Sequence, residues 1–143
     1  MKAEQIFSIA NLVAMISWII LALAPRWILT RKVILSGVIP LLLSVAYLVL
    51  VVLFFGSAEG SFSSLAGVMK LFTNEWAVLA GWIHYLAFDL WVGIWEVKDS
   101  QGRGISHWFV IPCLFFTFML GPIGFLMYSI LRFFLAKEVA NDQ

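Results

Sequence analysis

Apolar residues run along this chain in four long blocks, each closed by a short polar or proline-containing interruption. The first, residues 4–24, is apolar apart from Ser8, Asn11 and Ser17, and Pro25 stops it. The second, residues 33–55, carries no charge; Pro40 lies early in it and predicts a kink, with Ser44 and Tyr47 as its other polar groups. The third, residues 76–96, reads WAVLAGWIHYLAFDLWVGIWE. The fourth, residues 107–131, contains Pro112 and Gly121-Pro122-Ile123-Gly124, which predict a break or sharp kink at Gly121-Pro122. Each block reaches the roughly 20 residues that a helix needs to cross a bilayer. Between the second and third, after a GSAEGS turn, Phe62, Leu65, Val68, Met69 and Phe72 recur at intervals of three and four. That spacing predicts a short amphipathic helix over residues 61–73, lying at the membrane interface. It either closes a loop or serves as a lid over a site. Thr73 or Asn74 suits the cap of the third helix, EVKDSQGRG reads as a polar loop, and the tail after Arg132 reads as fraying. The predicted fold is all-α: one polytopic membrane domain over residues 1–143, with four transmembrane helices and an interfacial helix between the second and third.

Composition agrees with this pattern. Hydrophobic residues make up 63% of the 143 and charged residues 12%. A water-soluble domain of this size cannot hide so much apolar surface, so lipid is the expected solvent. A net charge of +1 offers no basis for a nucleic-acid partner. The single cysteine, Cys113, excludes an intrachain disulfide and a cysteine-cluster zinc site. Glu4 and Asn11 argue against a cleaved signal peptide, and the chain shows no Arg/Ser-rich leader, which points to a bacterial protein of the inner membrane or to an already processed mature form. Arg26, Arg31 and Lys32, together with Lys98 and Arg103, place two loops in the cytoplasm and both termini outside, against competition from Lys2, Lys70, Arg132 and Lys137.

The third block holds the candidate chemistry. Ionisable groups within a span cost several kcal/mol on most scales, so His84 and Asp89 each need a partner or a use. On a helix, Trp82, Tyr85, Asp89, Gly93 and Glu96 share one stripe, and His84, Phe88, Trp91 and Trp95 another. His84 and Asp89 diverge by about 140°, so they address different neighbours or flank one wide groove. His107, at the start of the fourth helix, is expected at a depth near Asp89, and Arg103 within reach of Asp89 or Glu96. Three readings follow. Asp89 pairs with Arg103 or His107 while His84 bonds Asn11, and all are structural; or Asp89 or His107 is an acid and His84 a base acting on a lipophilic substrate; or His84, Asp89 and His107 hold a metal, although their spacing fits no recognised metal motif. Asn11, Trp82, Tyr85, Trp91 and Arg103 are the candidate substrate contacts. The crowded aromatics suit packing, and they also suit a polyene or isoprenoid lying between helices. Ser64 and Thr117 lack any triad context, and no phosphate loop or nucleotide fingerprint is present.

The segments EQIFSIANL, PRW, SLAGVMKLF, LAGWIHYLAFDLWVG and GISHWFVIPCLFFTFMLGPIGFLMY together resemble the abscisic-acid-deficiency-four-like family of small membrane proteins. The resemblance covers nearly the whole chain and is most specific around residues 84–89 and 112–122. Plant members of that family are associated with neoxanthin synthesis from violaxanthin in plastids. The resemblance therefore implies an isomerase of an epoxycarotenoid or similar lipid, with no cofactor and no metal. Its partners would be a lipophilic small molecule and membrane lipid; the small size of a four-helix unit separately suggests self-association as a homo-oligomer. His84, Asp89 and His107 are its expected acid and base groups. The alternative is a non-enzymatic transport, assembly or stabilising subunit whose intramembrane polar residues hold helices together.

Overall fold

A computed structural model of the chain describes residues 2–54, 56 and 59–135. Every regular element among them is helical: α1 (Ala3–Leu23), a π-helical turn (Thr30–Ile34), α2 (Val38–Phe54), α3 (Leu65–Leu71), α4 (Glu75–Gly102), α5 (His107–Leu120) and α6 (Pro122–Leu135). Part of the expected GSAEGS turn (Ser57 and Ala58), Phe55 at the end of the second predicted span, Lys137 and the tail beyond Leu135 lie outside the described residues.

Three segments, Ala3–Leu23, Thr30–Phe54 and Glu75–Gly102, are long and apolar enough to cross a membrane. Local chemistry sets their ends. Pro25 ends α1, and the Ala24 carbonyl accepts from the buried Thr30 hydroxyl at 2.7 Å. Pro40, expected to kink the second span early in its length, does not interrupt α2. It is the third residue of α2, where a missing N–H costs nothing. The bend comes before it at Gly37, whose φ of 83° suits glycine. Asn74 caps α4, accepting from the N–H groups of Trp76 and Ala77 at 2.9 and 3.2 Å. α4 runs six residues past the predicted end, so most of the expected polar loop is helix. It closes at Gly104 (φ 67°), with Ile105 N–H donating to Ser100 C=O and Gly104 N–H to Gln101 C=O. This paired closure satisfies the last carbonyls and buries Ile105. The interfacial helix is shorter than predicted; Ser64 caps it by accepting from Gly67 N–H at 3.1 Å.

Contacts divide the chain into two units, Met1–Met15 with Ile39–Phe88, and Ile16–Val38 with Asp89–Gln143. In the first unit, α2 runs antiparallel to α4: Phe54 stacks on Trp76 with ring centroids 4.0 Å apart, and Tyr47 packs against His84. The core is Ala10, Ala14, Leu43, Leu50, Leu79, Ala80, Ile83, Leu86 and Ala87. Its alanines let helix backbones approach closely, the usual device where lipid supplies no hydrophobic drive between helices.

In the second unit the chain reverses where a break was expected. Gly121 (φ 45°) joins α5 to α6, each 14 residues long. Thr117 of α5 meets Glu96 of α4, and Gly121 lies beside Asp89, so α5 runs antiparallel to α4. Along α6, Phe125 meets Trp95, and then Tyr128 and Arg132 meet Asp99, so α6 returns parallel to α4. The turn is so tight that a methyl on Gly124 would strike the Thr117 backbone. A fourth crossing helix over residues 107–131 is thus replaced by a hairpin of two helices of about 21 Å each, against a hydrocarbon core of about 30 Å. The placement of both termini on one side rested on that fourth crossing and loses its basis with it.

Candidate functional site

The first unit contains a half-open groove of about 210 Å³. Tyr47 and Val51 of α2 line one side, Ala80, Gly81 and His84 of α4 another, and Phe62, Leu71 and Phe72 in and around α3 cover it. His84 is exposed at the rim. Its ring lies 4.7 Å from that of Phe88 and 5.4 Å from that of Tyr47, centroid to centroid. Tyr47 and His84 are the only polar side chains lining the groove among the described residues. α3 is tethered near it by the exposed pair Lys70–Glu59 at 2.8 Å, and Lys70 holds the Glu59 carboxyl below its usual range.

Asn11 does not reach His84. Its amide donates to the Phe7 carbonyl at 2.9 Å, and its oxygen accepts the Trp82 indole N–H at 3.0 Å, so it bonds a neighbouring helix as a span asparagine should. Trp82 packs against Phe7 and Tyr85 at centroid separations of 5.6 and 5.5 Å. It lines a second cleft of the same unit with Phe7, Glu4 and Glu75, apart from the His84 groove.

Asp89, His107, Trp91 and Arg103 belong to the second unit. The Asp89 carboxylate sits against Gly121, where a methyl would lie 2.8 Å from Oδ1. A carboxylate there faces the positive end of α6. His107 does not pair with Asp89; its Nε2 is 2.8 Å from the Ala22 carbonyl. It lines a cleft of about 440 Å³ with Arg26, Trp27 and Trp108. Trp91 covers Gly37, where a methyl would be 2.8 Å from the indole. Arg103 reaches neither Asp89 nor Glu96, because Asp99 one helical turn before it takes its Nε at 2.9 Å. Among the described residues, no three His, Cys, Asp or Glu side chains are grouped to hold a metal ion.

Sequence reasoning missed the polar cluster under the hairpin. Glu96, expected at the end of a span, is fully buried, and its Oε1 accepts the Thr117 hydroxyl at 2.8 Å. Asp99 accepts from Arg103 and Arg132 at 2.9 Å and from the Tyr128 hydroxyl at 2.8 Å. The available signal was the spacing of Glu96, Asp99 and Arg103 along one helix face, combined with a lone Thr117 and a lone Tyr128 in otherwise apolar helices.

The ABA4-like family, described as ABA DEFICIENT 4-like, matches residues 5–128. The chain is 25% identical over 150 aligned residues to Protein ABA DEFICIENT 4, chloroplastic, of Arabidopsis thaliana. That alignment covers 99% of this chain and 64% of the plant protein, so the chain spans less than two thirds of that relative. The relative's name places it in the chloroplast, which lends no support to a bacterial inner membrane. No solved structure matches.

Proposed function

The chain belongs to the ABA DEFICIENT 4-like family, and from that premise we propose that it binds a carotenoid or similar isoprenoid in the membrane and isomerises its epoxide-bearing end. The observation that carries this reading is the His84–Tyr47 groove beneath α3. At about 210 Å³ it is smaller than the roughly 300–1,000 Å³ typical of pockets for whole small-molecule ligands. It suits the ring end of a long apolar molecule whose polyene lies out along the lipid-facing helices. The reaction conserves electrons. The epoxide oxygen gains a proton, the C–O bond opens, and a proton leaves a neighbouring polyene carbon to give an allene. His84 is the base for that carbon proton, and the Tyr47 hydroxyl is the donor within reach of the oxygen. An apolar groove without bulk water favours both transfers.

A second reading, a non-enzymatic membrane subunit, draws on the way Asn11, Asp99 and His107 are all held in hydrogen bonds within the fold. Expression in a host that makes epoxycarotenoids separates the two. The wild-type protein should copurify with pigment and change the host's carotenoid profile. His84→Ala should retain pigment and lower conversion about 100-fold. Gly81→Leu should fill the groove and lose both. A colourless wild-type protein with an unaltered carotenoid profile sinks the isomerase reading for carotenoids.

A further inference from the structure

We propose that Glu96 is a proton-binding carboxyl, which holds an exchangeable proton as the neutral acid beneath the α5–α6 hairpin. This inference does not depend on the isoprenoid reading and concerns the other unit of the chain.

Among the described residues, five polar or charged ones are buried: Ser17, Thr30, Glu96, Ser100 and Thr117; Glu96 alone of these is ionisable. Its side chain is 0% exposed. Oε1 accepts the Thr117 hydroxyl, while Oε2 is buried with no hydrogen-bond partner among the described residues. No cation among those residues lies within ion-pair distance.

Asp99, one turn further along α4, is the built-in contrast. Its two oxygens take two guanidinium groups and a phenol, and its side chain keeps 14% exposure. That carboxylate is neutralised by cations and held in place. Glu96 has one hydroxyl and no cation. An isolated charge in such a place costs several kcal/mol, and the simplest ligand that removes it is a proton.

Thr117 bonds Glu96 from α5, and Cys113 of α5 and Tyr128 of α6 lie within its electrostatic reach. The Tyr128 hydroxyl donates to Asp99, and Arg103 and Arg132 also bond Asp99 rather than Glu96. Arg103 and Arg132 are 33% and 38% exposed, so the polar cluster one turn from Glu96 meets the surroundings, where a proton bound at Glu96 exchanges with no change of redox state.

Infrared spectroscopy of the full chain in lipid vesicles tests this directly. The wild-type protein should show the carbonyl stretch of a protonated carboxylic acid, shifting when H2O is replaced by D2O. Glu96→Gln should remove that band. Should Glu96→Gln fail to fold, Thr117→Val provides the second reading: the band should move in frequency as its carbonyl loses the hydroxyl. A missing band, a band that does not shift in D2O, or a band unchanged in Glu96→Gln or in Thr117→Val overturns the proposal.

Discussion

The two units of this chain are built on opposite principles. The first has a core of alanine, leucine and isoleucine, and its polar side chains Asn11, Tyr47, Trp82 and His84 sit at the rim, where none is fully buried. Among the described residues, all five buried polar or charged ones lie in the second. There, Glu96–Thr117, Asp99 with its three donors, and Asp89 against Gly121 tie the hairpin to α4. Polar groups at a rim are cheap to keep and available to a ligand. Polar groups in a core must be satisfied by the fold itself, because an unmade bond there costs more than a made one returns. The contrast separates residues suited to chemistry on a bound molecule from those that hold helices in place.

Three substitutions put that contrast under strain. The largest effect is expected from Gly124→Ala. The added methyl meets the Thr117 backbone rather than a yielding side chain, so the hairpin must open. The expected cost is about 3 kcal/mol, with amide exchange protection lost along α5 and α6 and kept around Ala10 and Leu43. Ile83→Ala is the counterpart in the first unit. Ile83 is 0% exposed, and truncation should cost about 2–4 kcal/mol, with protection lost in the first unit and kept in the hairpin. If either variant loosens both units alike, the division between them is wrong. The smallest effect is expected from Asn11→Ala. It removes the interhelical bond to Trp82 at the rim, and unfolding in mixed micelles should register a loss of only about 0.6 kcal/mol. A loss as large as that of Ile83→Ala would make Asn11 a core strut and erase the distinction.

Much of this architecture was legible in the residues. Helical content, three of the spans, the stop at Pro25, the cap at Asn74 and the break at Gly121 follow from hydropathy, proline geometry and turn chemistry, which act over a few residues. The divergence of His84 and Asp89 also follows from helical periodicity alone, and the two fall in different units. Where local chemistry was misread, a distant partner intervened. α4 continues through Lys98 and Asp99 because α6 supplies Tyr128 and Arg132 to the carboxylate. Arg103 turns to Asp99 rather than Asp89 because a partner one helical turn away needs little ordering to hold.

The chain by itself thus determined that it is helical, that three segments can cross a membrane and where it breaks. Only the tertiary structure decided that the break is a reversal, that Glu96 rather than Asp89 is the fully buried acid, and that His84 shares its groove with Tyr47. Sequence spacing reports which face of a helix a side chain occupies. What that face meets depends on packing between residues 21 positions apart, as in Glu96 and Thr117, or 37 apart, as in Tyr47 and His84.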